Sequence, residues 1–309
     1  MTATGQASEM DVCLNGRMVH YDRARIAHDD AGFQYAVGLF ETMAARHGRV
    51  FRLDAHVARL LHSADELGIA AKPDPHRLRA AVERTLEHNR LKNARVRLTV
   101  TAGRLSLLQT PTGKPPPPTS LVVATPPSHY DPSRFERGSV VTVTPAAANP
   151  FDPTCGHKTL AYWHRLHSLR EAAAVGADES IWLTTSNHLA SGAVSNIFLV
   201  HDGRLLTPFA HGEEVAGALR AAVLPGITRA AVIEIAESRS LSVQRRTLDV
   251  NDLLEADEIF LTNSSWHLLP VTRVEKKTIG DGKPGPVSRD LRETLLDLID
   301  DETREGASG

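Results

Sequence analysis

Lysine is scarce in this 309-residue chain, with seven residues where arginine has 28. Cysteine is scarcer still. Cys13 and Cys155 are the two present, far apart and without CxxC spacing, which argues against a disulfide framework or a thiolate zinc site. Neither sign of charge dominates: 35 basic residues face 37 acidic ones, for a net charge of −2. That balance gives no support for nucleic-acid binding or for attraction to a membrane surface. No window approaches the roughly 20 apolar residues of a spanning helix. Met1–Met10 is polar and lacks an apolar run, so no signal peptide is expected and a cytoplasmic location is. There is no internal repeat, and no GxGxxG follows a strand, which weakens a dinucleotide-binding reading.

What is present suits a globular α/β chain, with 41% hydrophobic and 23% charged residues. Its length exceeds a usual single core, so two domains are expected. Asn15-Gly16 and His47-Gly48 each separate two short apolar runs, the signal of a β-hairpin turn. Asp54 is expected to cap a helix carrying Val57, Leu60, Leu61, Ala64 and Leu67 on one face. Asp74 and Pro75 open a second helix, with Leu78, Val82 and Leu86 inward. Alternation over Arg95–Val100 predicts a half-buried strand, and a proline-bearing loop over Ala102–Thr119 leads to another at Leu121–Ala124. Polar, aperiodic Pro126–Arg137 reads as a linker. The expected organisation is a small α/β domain over 1–125, a linker over 126–137, and a larger α/β domain over 138–309. In the larger domain, strands are expected at 139–144, 180–184, 195–200, 241–246 and 258–262. Helices are expected at 160–175, 227–238, 250–256 and 287–301.

Cys155-Gly-His-Lys158-Thr-Leu-Ala-Tyr162-Trp163 places one of the few lysines at a loop-to-helix junction among apolar and aromatic neighbours. Desolvation there disfavours the ammonium form, as a nucleophilic or Schiff-base lysine requires; a surface lysine lying beside two aromatics is the plainer alternative. Pro225-Gly226-Ile227-Thr228 opens a helix whose backbone N–H groups and hydroxyl suit a phosphate, though Thr228 would serve equally as a cap. Thr262-Asn263-Ser264-Ser265 gathers hydroxyls and amides at a strand end. His164 and His167 share a helix face beside His157, but no third ligand of good spacing accompanies them, and no metal is expected.

In this order, the chain resembles the class IV aminotransferases, fold-type IV enzymes that use pyridoxal 5′-phosphate. The group includes branched-chain and D-amino-acid aminotransferases, (R)-amine transaminases and aminodeoxychorismate lyases. The resemblance runs from about Asp30 to Val271. It rests on Gly38-Leu-Phe-Glu41, His56-Val-Ala-Arg59-Leu60, Lys158-Thr-Leu160, Gly176-Ala-Asp-Glu179, Ser195-Asn-Ile-Phe198, Pro225-Gly-Ile-Thr228 and Pro270-Val271. It implies two α/β domains with the cofactor between them, a homodimer, and an amino acid or amine and a keto acid as substrates. Lys158 would form the Schiff base and shuttle a proton. Arg59 would hold the cofactor phosphate with Ile227, Thr228 and Ser264, an arginine–phosphate pairing favoured by its geometry. Tyr162, Ser195 and Asn196 would also meet the cofactor, while Tyr35, Arg97, Ser265 and Trp266 would face the substrate.

One departure matters. The family pattern before Ser-Asn-Ile-Phe carries a glutamate that keeps the pyridine nitrogen protonated; here the matching residue is Ser191, and Ser180–Val200 contains no acid. A hydroxyl hydrogen-bonds to a largely neutral nitrogen, and a neutral ring is the poorer electron sink. Three readings follow: a slow or specialised transaminase, an aminodeoxychorismate-type lyase in which a leaving group relieves the carbanion, or a phosphate- or cofactor-binding homologue without the chemistry.

Overall fold

The computed structural model describes residues 10–69, 73–104 and 116–304. Met1–Met10, save its last residue, and much of the Ala102–Thr119 loop lie outside the described residues. The chain forms two compact units, one of Met1–Ser128, Lys158–Ala161 and Ile299–Gly309, the other of His129–His157 and Tyr162–Leu298.

In the first unit the elements run β1 (Val12–Leu14), β2 (Arg17–Val19), α1 (Ala31–Tyr35), β3 (Gly38–Arg46), β4 (Arg49–Val50), α2 (Leu53–Glu66), α3 (Pro75–His88), β5 (Ala94–Thr101) and β6 (Thr119–Thr125). The sheet order is β2-β1-β6-β5-β3-β4, with every neighbouring pair antiparallel. Both expected hairpin turns form. Asn15 (φ 51°) with Gly16 (φ 79°), and His47 (φ 54°) with Gly48 (φ 81°), take the paired left-handed conformation of a two-residue hairpin. Val57, Leu60 and Ala64 of α2 and Leu78, Val82 and Leu86 of α3 meet Met43, Val96, Leu98 and Val122 in one buried cluster. Asp74 caps α3, accepting from His76 N at 2.9 Å. Asp54 does not cap α2. Left-handed Arg52 occupies that position without a side-chain cap, and Asp54 lies in the first turn, where it meets Arg79.

The second unit carries α4 (Ser133–Arg137), β7 (Ser139–Ala148), α5 (Trp163–Ala174), β8 (Glu179–Thr184), β9 (Leu189–Gly192), β10 (Asn196–His201), β11 (Arg204–Thr207) and α6 (Ile227–Ser238). It continues through β12 (Val243–Arg245), α7 (Val250–Glu255), β13 (Glu258–Asn263), β14 (His267–Val274) and β15 (Lys277–Thr278); α8 (Pro286–Thr303) ends in the first unit. The mixed sheet has the order β12-β11-β10-β13-β14-β7-β8-β9, with β15 on β14. The stretch expected as a linker holds α4, and strands β9, β11, β14 and β15 were not anticipated. Pro270 in β14 lacks the N–H that a central strand normally uses, and the other three are too short to show a period.

The largest local difference concerns the helix expected from Leu160. It starts at Trp163 instead. Phe40 N donates to Lys158 O at 3.0 Å and Leu160 N donates to Gly38 O at 2.9 Å, so residues 158–160 are extended beside β3. Their peptide groups are already committed, and the helical ladder cannot begin until the chain has left β3.

Candidate active site

Lys158 therefore gets its position from main-chain hydrogen bonds. Gly38 permits the approach: a Cβ there would lie 2.6 Å from Val100 O and 2.8 Å from Leu160 Cδ1. Lys158 Nζ lies 4.4 Å from the centre of the Phe40 ring, and the Arg97 guanidinium carbon lies 3.9 Å from the same centre. Phe40 is thus an apolar plate with two cations drawn to it.

On α2, His56 and Arg59 are three residues apart and share one face. Both reach Glu41, which β3 presents from a site 1% exposed. Arg59 donates through Nε to Glu41 Oε1 at 2.9 Å and through Nη2 to Oε2 at 2.5 Å, a two-point pairing that fixes the guanidinium plane. Burial alone would push the Glu41 carboxyl up, but the Arg59 charge and the His56 contact outweigh it and hold the group down at about 2. An ionised Glu41 can only accept, so the 2.7 Å contact is His56 Nδ1–H donating to it. Burial pushes the His56 imidazolium down against the pull of Glu41. The sequence named His56 and Glu41 as family markers without seeing that together they seat Arg59.

Tyr35 closes α1, whose N-terminus Asp30 caps through Gly32 N at 2.8 Å. It stands 54% exposed.

In the second unit the candidate residues gather around the turn between β9 and β10. Asn196 donates from Nδ2 to Leu224 O at 2.8 Å, tying β10 to the loop that enters α6. Gly226 precedes Ile227 there, and a Cβ on it would lie 2.0 Å from Asn196 Oδ1. Among the described residues no side chain caps α6, and Thr228 lies buried in its first turn. Arg229 braces this end, donating to Glu213 from Nη1 at 2.8 Å and from Nη2 at 2.7 Å. Asn263 accepts from Ser265 N at 2.8 Å and Trp266 N at 3.0 Å and donates to Val194 O at 3.2 Å. It thereby joins the Ser264–Trp266 turn to the turn after β9. Trp266 is buried edge-on to Tyr130, with ring centres 5.9 Å apart. Tyr162, just before α5, reaches Ala193 O with its hydroxyl at 3.4 Å.

Two residues given no role by the sequence reading organise that turn. Glu179, fully buried on β8, accepts from Ser180 N at 2.9 Å and Ala193 N at 3.2 Å through Oε1, and from Val194 N at 3.3 Å and Ser195 Oγ at 3.0 Å through Oε2. Burial pushes its carboxyl up, and these four donors pull against that. Glu179 lies one residue outside the acid-free stretch, inside a marker already singled out. The second is Arg165, three residues after Tyr162, which donates through Nη1 to Ser191 Oγ and to Gly192 O, each at 3.0 Å. Nothing in the spacing of α5 marks it.

The fold and these residues define an α/β chain bearing a seated lysine, a paired arginine and an uncapped helix end. The chain belongs to the class IV aminotransferases, whose sequence pattern (described as amino-transferase class IV) matches residues 38–274. It is 30% identical over 291 residues to a Methanocaldococcus jannaschii protein provisionally named a branched-chain-amino-acid aminotransferase, covering 94% of this chain and 96% of that one. Among solved structures, a T.th. branched-chain amino acid aminotransferase with pyridoxamine 5′-phosphate superposes with a TM-score of 0.86 at 26% identity, covering 96% of each chain. The 4-amino-4-deoxychorismate lyase of Pseudomonas aeruginosa superposes with a TM-score of 0.80, also at 26% identity, covering 94% of this chain and 99% of that one. No helix among the described residues is long and apolar enough to cross a membrane.

Proposed function

We propose that this protein is a pyridoxal-phosphate-dependent aminotransferase that moves an amino group between an amino acid or amine and a keto acid, as a cytoplasmic homodimer. The observation that carries this reading is the backbone pinning of Lys158 beside β3, with its amine over Phe40. A reactive amine gains most from being held in place before the reaction begins.

The residues present fit the cofactor. A helix end without a side-chain cap, entered through a glycine whose Cβ would strike Asn196, suits a phosphate. A guanidinium already oriented by Glu41 suits the same group, and a primary amine suits an aldehyde. When bound, the cofactor supplies an electron-withdrawing ring that eases loss of a proton from the substrate carbon. The chain's own residues do the rest. Lys158 Nζ would hold the cofactor and, once released by the incoming amine, would take and return that proton. Arg59, the N–H groups of Ile227 and Thr228, and the Ser264 hydroxyl would hold the phosphate. Tyr162, Ser195 and Asn196 orient the ring, directly or through the turn that they fasten. Arg97 meets a substrate carboxylate, with Tyr35, Ser265 and Trp266 bounding the substrate.

A second reading is favoured by Ser191. Where the ring is a weaker electron sink, a reaction that expels a leaving group needs less from it, as in an aminodeoxychorismate-type lyase. Absorption spectra with added cofactor, before and after borohydride, test the shared part of both readings. A visible band that borohydride bleaches, absent in Lys158→Ala, is expected. If the folded apoprotein gives no band, the reading of a phosphate-binding homologue without the chemistry takes the lead. Product assays then divide the two readings: keto acid formed only with an acceptor marks the transaminase, and pyruvate released from aminodeoxychorismate without one marks the lyase.

A further inference from the structure

Ser191 lies near the end of β9, at the position where the family resemblance would put the acid that meets the pyridine nitrogen. Its hydroxyl donates to Gly192 O at 2.8 Å and accepts from Arg165 Nη1 at 3.0 Å. The same nitrogen donates to Gly192 O at 3.0 Å, and the guanidinium carbon lies 4.2 Å from the centre of the Trp182 ring. Trp182 is itself fixed, donating from Nε1 to Ser168 Oγ of α5 at 3.0 Å. Helix α5 and strands β8 and β9 thus hold one guanidinium against one hydroxyl.

The charge around the hydroxyl follows from its neighbours. Arg165 feels Tyr162, Cys155 and Glu179, and burial pushes its guanidinium down from its ordinary value while all three oppose that. Arginine stays charged in proteins. Burial pushes the Cys155 thiol up, so it supplies no negative charge. Glu179 is the one carboxylate of the three, and its oxygens are engaged by the four donors of the turn. The serine at position 191 carries no charge of its own, and the ionic group that touches it is the Arg165 guanidinium at 3.0 Å.

A protonated pyridine nitrogen needs an acceptor, whereas an unprotonated one needs a donor. Gly192 O accepts from Arg165 as well as from Ser191, so the hydroxyl can turn its proton from that carbonyl to a ring nitrogen without stranding the carbonyl, and a second cation beside the guanidinium is disfavoured. We propose that Arg165 and Ser191 form a donor pair that binds the pyridine nitrogen of the cofactor in its unprotonated form. The pair is the inverse of a carboxylate at that place: a fixed positive charge acting through a hydroxyl. This inference rests on the cofactor reading above. It makes proton transfer the slow part of the amino-group transfer proposed above.

The test is nitrogen NMR of the full-length protein loaded with pyridoxal phosphate labelled with ¹⁵N in the ring. An unprotonated ring nitrogen resonates far downfield of a protonated one and shows no one-bond coupling to a proton. The wild type is expected to give the downfield signal. Ser191→Glu with Arg165→Gln should move it to the protonated position, and Arg165→Gln alone should shift it part of the way or make it titrate near neutrality. A protonated nitrogen in the wild type overturns the proposal, whatever the variants do. Borohydride reduction and peptide mapping of the same sample separate the two levels. A pyridoxyl adduct on Lys158 with a protonated nitrogen sinks this inference alone; no adduct on Lys158 sinks the cofactor reading and this inference with it.

Discussion

Glu41→Gln would remove one negative charge from the core of the first unit and leave the Arg59 guanidinium facing a neutral amide. Glu41 is 1% exposed and bonded at three points by Arg59 and His56, so solvent cannot replace the lost charge. Breaking a buried ion pair from one side typically costs about 3–5 kcal/mol, and glutamine keeps one acceptor, which points to the lower end. The carboxyl itself gives a second estimate. Its fall from 4.5 to about 2 corresponds to about 3 kcal/mol of preference for the ionised form in the folded state. Because the folded value is depressed, that stability is present above about 4.5 and is lost as pH falls through about 2. Urea unfolding at neutral pH of Glu41→Gln, Arg59→Met and the double variant would measure the coupling. Each single variant should lose about 3 kcal/mol, and the double should recover much of it, because neither charge is left alone. A Glu41→Gln protein within about 0.5 kcal/mol of wild type, or strictly additive losses, would refute the account. The single variant should also bind inorganic phosphate and pyridoxal phosphate more weakly, because the guanidinium loses its fixed plane.

Further tests follow from single contacts. Gly38→Ala places a Cβ 2.6 Å from Val100 O and 2.8 Å from Leu160 Cδ1; it should cost about 1–3 kcal/mol and slow cofactor attachment to Lys158, followed by absorbance. Glu179→Ala takes this acceptor from Ser180 N, Val194 N and the Ser195 hydroxyl, while Ala193 N keeps Ser180 O at 2.8 Å, so denaturant unfolding should show a loss of about 2–3 kcal/mol. Glu179 also gives a pH signature opposite to that of Glu41. Its folded carboxyl is raised, so its contribution is complete below about 4.5 and declines as pH rises through the folded value, visible as a wild-type-minus-variant difference that narrows with pH. Ser191→Glu should raise the single-turnover rate with a good amine donor, and an unchanged rate would remove the missing carboxylate as the limit on proton transfer.

Much of this architecture is legible in the sequence because it is written in local signals. The hairpins at Asn15-Gly16 and His47-Gly48 require left-handed residues that few side chains accept, and Asp74-Pro75 opens α3 by a local cap. Lys158, Arg59 and Thr228 stand out because their short motifs recur in a fixed order. The start of α5 is obscured because the helical spacing of Leu160 is overruled by hydrogen bonds to Gly38 and Phe40, about 120 residues earlier in the chain. Arg165 and Glu179 are hidden for the same reason. Each acts on a turn contributed by another strand, and no period along its own element records that contact.

Main-chain bonds are blind to the side chains of the residues that make them. The seat of Lys158 uses the amides and carbonyls of Gly38, Phe40, Lys158 and Leu160, so the residues flanking the lysine carry little of the information that places it. Position 38, where anything larger than hydrogen meets backbone at 2.6 Å, carries much more. Saturation mutagenesis should therefore find exposed position 161 permissive, buried position 159 limited by size, and position 38 nearly closed. In a diverging lineage, the glycine across the sheet would be a more durable signpost to the reactive amine than the letters beside it.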